Sequence, residues 1–479
     1  MTIFARAFGL ITPCLLLHTA FAQTGPSQPA TEIAVVPATI PPTPIVAPTS
    51  PPIPAPFEAP KFEAVWNNGL FFQTPKKEFV AHVGGTVHAD GAWYSAGSGL
   101  QQFPGGTGRF SDGANFRRVR IFLEGSMYKN IDYKVEVEFM NGFSPSGLSV
   151  PVSVATVSNS PGPTDAWITV KDVPWLGNVR IGNQKEWFSL EHLNNYRALE
   201  FMERSYLFDF AQPTAFDNGF SPGISAYRTW ADDRVFTAIG GYKNVSDPIG
   251  FGLGDGQYAV TGRVAGLPVW MPEDKTFWHV GGAMSHRDPV NGQVQVRIRN
   301  EVRNAPNPLL NLVANTGLIN ATSQTLYNLE TAAVYGPLTI QAEFTANLIN
   351  GASVGTGPNV GTLAYQGFYA EAMFFLTGES RTWNPKLGVF NRVTPLKNFS
   401  FAECGYGAWE LAARYTHLDL NDRGIDGGRL NNVTLGLNWY LNPLAKLQFN
   451  YDYLYKDGVA NREARGSVHS FGARMGLDF

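Results

Sequence analysis

Asn432-Val-Thr-Leu-Gly-Leu-Asn-Trp-Tyr-Leu-Asn442, a turn at Pro443, then Leu444-Ala-Lys-Leu-Gln-Phe-Asn-Tyr-Asp-Tyr-Leu-Tyr455 and the final run from Ser467 to Phe479 form the stretch that decides the fold. Apolar and polar residues alternate in each run. Val433, Leu435, Leu437, Trp439 and Leu441 share one face of the first. Ala445, Leu447, Phe449, Tyr451, Tyr453 and Tyr455 share one face of the second, and Phe471, Ala473, Met475, Leu477 and Phe479 one face of the third. A period of two is the signature of a strand, whose side chains point alternately to opposite faces. Strands of about 10 residues with one apolar face, joined by tight turns, predict an all-β, transmembrane antiparallel β-barrel.

The same period recurs upstream. Tyr133, Val135, Val137 and Phe139 alternate with Asp132, Lys134, Glu136 and Glu138, and Ile340, Ala342, Phe344, Ala346 and Leu348 alternate with Thr339, Gln341, Glu343, Thr345 and Asn347. A soluble sheet would carry Lys, Glu and Thr on its outer face; here that face is apolar or aromatic in strand after strand. Seventeen candidate strands can be marked from 79–94 to 467–479, including 116–127, 164–171, 222–229, 277–287, 365–376 and 408–418. A single-chain bacterial barrel takes an even number. The weakest candidate, 292–300, alternates Val with Arg and is assigned to a loop, which leaves about sixteen strands.

Composition agrees. Charged residues make up 16% of the 479, against about 25% in soluble domains, yet mean hydropathy lies close to zero. A barrel whose every second side chain faces water satisfies both. The net charge of −3 offers no argument for nucleic acid as a partner. Arg6, the apolar core Phe8–Leu17 and Ala20-Phe21-Ala22 read as a secretory signal over 1–22. Residues 23–76 are proline-rich and predict an extended, flexible periplasmic linker. The barrel domain is then 77–479. Of the two cysteines, Cys14 falls inside the signal, so Cys404 has no partner for a disulfide.

Short links such as Lys129-Asn130, Gly336-Pro337 and Asn442-Pro443 are expected on the periplasmic side, and long ones such as 95–115, 142–163, 304–325 and 349–364 outside the cell. Residues 187–221 differ from the other connections in carrying aromatics, charges and helix-compatible spacing. A loop of this length inside a compact domain is generally functional, and in a sixteen-stranded barrel it would fold inward to narrow the channel. His82 and His88 share a strand face but lie about 20 Å apart, too far for one metal. Gly250–Gly256 lacks the Lys-Ser/Thr of a phosphate loop, and Asn421–Gly428 lacks the spacing and closing Glu of a calcium loop. No nucleophile constellation appears. Neither an enzyme, a metal nor a cofactor is expected.

Several segments are similar to the phosphate-selective porin O/P family. They are Phe116-Arg117-Arg118-Val-Arg-Ile, Asp132-Tyr133-Lys134, Gly182-Asn-Gln-Lys185-Glu-Trp-Phe188-Ser-Leu190-Glu191, Phe201-Met-Glu-Arg-Ser205, Asn315-Thr316-Gly317, Leu376-Thr-Gly-Glu-Ser-Arg381 and Gly428-Arg429 through Pro443. The resemblance implies a sixteen-stranded, trimeric anion porin of the outer membrane of a diderm bacterium, with an inward constriction loop and phosphate or polyphosphate among its solutes. A basic residue of the family pattern is missing around Phe210–Phe216.

In such a pore fixed charges replace part of an ion's hydration and select its sign, and Arg suits oxyanions because its planar fork donates in pairs. By parity Arg118, Arg120, Lys134, Arg180, Arg414, Lys446 and Arg474 face the lumen. Lys185 and Arg204 lie on the constriction segment, with Glu203 placed to orient Arg204. Arg117 has lipid-facing parity: at a strand start it either snorkels to the interface or, where a bulge intervenes, points inward with Arg118. The expected anion path is therefore Arg117, Arg118, Arg120, Lys134, Lys185 and Arg204. The alternatives are an unselective or carbohydrate-type porin, since Glu124, Glu136, Glu138, Glu343, Glu410, Asp452 and Asp478 face inward too, and a secreted β-rich adhesive or scaffold protein.

Overall fold

The computed structural model describes residues 61–101, 110, 112–143, 160–211, 219–244, 257–303, 312–458 and 465–479. Sixteen strands of these form one barrel: β1 (Phe79–Ala96), β2 (Gly113–Met127), β3 (Ile131–Phe143), β4 (Ser160–Val173), β5 (Gly177–Gln184), β6 (Ser221–Trp230), β7 (Val235–Lys243), β8 (Tyr258–Met271), β9 (Thr276–Arg287), β10 (Ser323–Tyr335), β11 (Leu338–Ala352), β12 (Gly361–Phe375), β13 (Ala408–Asp422), β14 (Ile425–Asn442), β15 (Ala445–Asp457) and β16 (Gly466–Asp478). Each pairs antiparallel with its neighbours in sequence. The last returns to the first from Val468↔Ala96 to Asp478↔Thr86 and closes the cylinder. Closure removes the sheet edges that hydrocarbon could not satisfy.

The alternation maps onto lipid and lumen. Val135, Ile239 and Leu329 are 50%, 60% and 63% exposed on the outer wall. Their neighbours in the alternation, such as Glu136, Ala238 and Asn328, point inward and are buried. Aromatic girdles mark both rims. At the turn end Trp409 and Trp439 stack at 4.9 Å, and both indole N–H groups donate to the Tyr406 carbonyl. At the other end Trp93 meets Phe471 at 5.7 Å and Tyr453 meets His469 at 4.8 Å. The terminal Phe479 seals the seam, exchanging backbone hydrogen bonds with Gly85 at 3.0 and 3.1 Å. A Cβ on Gly85 would stand 2.3 Å from the Phe479 ring, so this closure requires glycine.

The candidate at 292–300 is not a wall strand. Gln293–Val294 and Arg297–Arg299 pair with Ile319–Asn320 and Leu312–Asn315 inside the connection between β9 and β10. The Asn421–Gly428 stretch is also absorbed. Arg423 and Gly424, both at positive φ (+52° and +80°), form a two-residue turn of the kind whose twist matches paired strands, and β13 and β14 run up to it. The signal segment and most of the expected linker lie outside the described residues, as does Gly250–Gly256. Residues expected at the end of the linker instead form a hairpin, Glu63–Trp66 with Leu70–Gln73. Its second strand pairs with β1 from Leu70↔Val83 to Gln73↔Val80, and Phe71 stacks on His82 at 4.2 Å. The sheet thus starts at Glu63 rather than near residue 77.

The expected alternation of short and long connections fails twice: on the side of the long loops β13 and β14 are joined by only Arg423-Gly424. On the side of the short turns, the connection between β12 and β13 runs from residue 376 to 407, and it folds into the lumen. Trp383 and Phe390 are buried, meeting Phe277 of β9 at 5.4 and 5.9 Å, and Arg263 of β8 donates to the Gly388 carbonyl at 3.0 Å.

Candidate functional site

The segment after β5 folds inward, as its composition predicts. Ser189 accepts from the His192 N–H and starts a short helix, Leu190–Leu193; a 3-10 turn, Tyr196–Ala198, and a helix, Tyr206–Ala211, follow. Several of its anchors come from β11 and β13–β15. The Leu190 and Glu191 N–H groups donate to Glu343 of β11 at 3.2 and 2.7 Å. Asn438 of β14 donates to the Glu200 carbonyl at 2.7 Å, and Lys446 of β15 to the Leu199 carbonyl at 3.0 Å. Arg414 of β13 binds Glu191 at 3.2 Å.

Two further segments join it. Glu301, from the connection between β9 and β10, accepts from Arg414, from Thr416 at 2.9 Å and from Thr434 at 2.8 Å. The insert between β12 and β13 reaches the constriction segment from the opposite end. Arg381 pairs with Glu200 and donates to the Ala198 carbonyl at 2.8 Å, and the Phe390 N–H donates to Asn194 Oδ1 at 3.0 Å. The narrow section is therefore built from three chain segments rather than from 185–221 alone. The alternating Val and Arg at 292–300 was a trace of the second; the wall-like aromatics of 383–390 gave no sign that they turn inward.

These segments fill the lumen unevenly. From β7 to β16 nearly every inward side chain is buried, whereas inward positions of β2–β6 such as Arg120, Lys134, Arg180 and Thr229 keep partial exposure. On the facing loop Lys185, Arg197 and Arg204 also remain partly exposed. Partly exposed cations thus occur both on the wall β2–β6 and on the constriction loop.

Each expected site residue has a defined place. The bulge at Arg117 is present: the β1–β2 register slips between His88↔Arg118 and Ala89↔Phe116. Arg117 consequently turns inward and forks onto Glu203 at 2.9 and 3.0 Å. Arg118 also faces Glu203, at 3.3 Å. Arg120 binds Glu138 at 2.6 Å and Glu136 at 2.9 Å. Lys134 lies 3.3 to 3.6 Å from Asp165, Glu136 and Glu124. These wall cations are neutralised in place.

Lys185 and Arg204 behave differently. Lys185 Nζ donates to the carbonyls of His192, Leu193 and Asn194 at 2.7, 3.2 and 3.0 Å. Arg204 donates to those of Glu191 and Asn194 at 2.8 and 2.7 Å. Both grip the carbonyl end of the same short helix, where cations are favoured. Neither has a carboxylate within 4 Å among the described residues. Glu203 is thus not the group that orients Arg204. It sits instead among Arg117, Arg118, Arg474 and Arg303. Burial opposes its charge, but those arginines hold its carboxyl well below the usual range.

Residues beyond the expected set complete the cluster. Arg299 and Arg303 both bind Asp209, and Arg474 forks onto Asp90 at 2.6 and 2.7 Å. Among the described residues Arg117, Arg118, Arg299, Arg303 and Arg474 meet here with Asp90, Glu203 and Asp209. Arg180 has no acidic partner among its described contacts; it donates to Thr169 and Tyr227 and lies 4.0 Å from the Trp167 ring centroid. Arg197 binds Asp478 at 3.0 Å. Arg414 and Lys446 face the lumen as expected but serve as buried anchors.

The comparisons match this architecture. The family model described as "Phosphate-selective porin O and P" matches residues 87–479. An uncharacterised protein of Caulobacter vibrioides is 30% identical over 93% of this chain and 83% of its own length. Porin O of Pseudomonas aeruginosa is 24% identical over 85% of this chain and 90% of its own. Among solved structures, an anion-selective porin from Comamonas acidovorans superimposes with a TM-score of 0.51 at 14% identity, covering 84% of this chain and all of that one; that likeness speaks for the fold. A closed porin barrel sets aside the adhesive-protein reading. This chain belongs to the phosphate-selective porin O and P family and is an outer-membrane porin.

Proposed function

We propose that small anions, phosphate and polyphosphate among them, diffuse passively along the basic strip between the constriction loop and the wall β2–β6. The observation that carries this reading is the state of Lys185 and Arg204. Carbonyl oxygens hold both in place, and no carboxylate among the described residues lies within 4 Å of either, so each offers its positive charge to a passing anion while it is protonated. No catalytic step belongs to this reading, and the functional unit is a homotrimer in outer-membrane lipid, as family membership suggests.

A second reading, an unselective pore, is favoured by the wall itself, because Arg120 and Lys134 are matched by Glu124, Glu136, Glu138 and Asp165. Chloride current through single channels separates the two. An oxyanion site in the path predicts that millimolar phosphate reduces chloride conductance saturably; a strictly linear response to added phosphate supports the unselective pore.

Selectivity should also depend on pH. Burial, and then the charge of Arg204, push the Lys185 ammonium well below the usual lysine range. Arg204 is itself pushed down, by burial first, to about 10, and stays charged at neutral pH. Raising the pH removes the Lys185 proton before free lysines titrate, and with it one positive charge. Anion preference should therefore fall with rising pH in a range below that of ordinary lysine, and Lys185→Arg should remove the step. Reversal potentials recorded at a series of pH values check this.

A further inference from the structure

A second site lies away from the anion strip, at the turn-side mouth of the barrel. A cavity of about 320 Å³ opens between the ends of β8 and β9 and the insert 376–407. Trp270 and Phe277 supply its wall from the barrel, and Trp383 and Leu396 supply it from the insert. The ring centroids of Trp270 and Trp383 stand 5.9 and 5.4 Å from that of Phe277, so three aromatic surfaces converge on one space. Lys275, on an exposed turn, and Leu396, 68% exposed, stand at its mouth. Arg381 lines the wall. It spends part of its fork on Glu200 and Ala198, while its Nε has no hydrogen-bond partner among the described residues. Glu379 also lines the cavity, but its two oxygens already accept from the Thr377 hydroxyl and the Leu396 N–H.

We infer that this cavity binds planar aromatic carboxylates arriving from the periplasm. The volume is that of a small-molecule site, apolar in its walls with a few converging polar groups. Flat aromatic faces recognise a flat ring. The mobile Lys275 ammonium at the mouth recognises its carboxylate, while Arg381, whose side chain is inaccessible and paired with Glu200, supports the wall from behind. The inference does not rest on the anion strip, since no strip residue lines the cavity.

Equilibrium dialysis of 2-naphthoate against the full-length protein in phosphatidylcholine nanodiscs, with empty nanodiscs as the background, tests it. The expected result is saturable binding at one site per chain, weakened at least tenfold by Trp383→Ala and about threefold by Lys275→Ala. The neutral analogue 2-naphthalenemethanol should bind about threefold more weakly than the acid, matching the effect of Lys275→Ala. Thr394→Trp, which fills the cavity instead of emptying it, should abolish binding and keeps the test decisive if Trp383→Ala does not refold. Absence of saturable uptake above empty nanodiscs overturns the inference. So does uptake that survives Thr394→Trp, or equal affinity for the neutral analogue.

Discussion

Replacing Glu203 with Gln should destabilise the barrel by about 3–5 kcal/mol, the usual cost of removing one partner from a buried ion pair. Glu203 is 4% exposed and is shared by Arg117, Arg118 and Arg474, with Arg303 at 4.0 Å. A neutral amide leaves four guanidinium groups repelling one another where solvent reaches them poorly. The Gln carbonyl can accept at most two hydrogen bonds where the carboxylate accepts about four, and it neutralises none of the arginines. The urea midpoint of the folded, heat-modifiable species should drop accordingly, and the surviving channels should prefer anions more strongly than the parent, because a negative charge has left the narrow section. An unchanged midpoint would show that the arginines are held by the wall alone and that Glu203 is incidental to them.

The second large effect concerns the two uncancelled cations. Changing Lys185 and Arg204 together to Gln should lower the permeability to anions by roughly 25-fold, and the ratio of anion to cation permeability by at least as much. Each unit charge acting on an ion about 4 Å away contributes on the order of 1 kcal/mol even with water between them, which is a factor of roughly five. Glutamine retains hydrogen-bond donors for the Glu191, His192 and Asn194 carbonyls, so the short helix keeps its C-terminal partners. By contrast, Arg120→Gln should move the ratio less, since removing that cation also releases Glu136 and Glu138 to be solvated or to rebind Lys134. If Arg120→Gln shifts selectivity more than the double variant, the wall rather than the loop sets the sign.

Why the first of these residues could be named from the chain, and the rest could not, follows from the period of a strand. Alternation fixes which side chains face the lumen, so Arg118, Arg120, Lys134, Arg180, Arg414 and Arg474 could be placed before any coordinates. Strand bounds were legible for the same reason: the segment marked 131–141 is Ile131–Phe143, and that marked 408–418 is Ala408–Asp422. Bulges interrupt the period, and Arg117 shows both sides of this. Strict parity sends it to lipid; one extra residue in β2 turns it onto Glu203.

What alternation does not encode is where a connection goes once it leaves the wall. Arg299 and Arg303 enter the lumen on a loop, and Arg381 enters on an insert from the turn side. The Val and Arg alternation at 292–300 reads as a wall strand and does not reveal the inward turn, and nothing around Arg381 does either, because their partners, Asp209 and Glu200, are distant in the chain. Glu203 was misread for a related reason. Its neighbour Arg204 is the nearest cation along the chain, but adjacent residues of a turn point apart, and the arginines it meets come from β2 and β16. Which lumenal cations are matched by carboxylates is a property of packing, and the period of a strand does not carry it.

The reversal potential of single wild-type channels in a planar bilayer, under a tenfold KCl gradient at neutral pH, tests the central claim most directly. An anion path between the constriction loop and β2–β6 predicts a potential of the sign set by chloride. A potential of the sign set by potassium would contradict it.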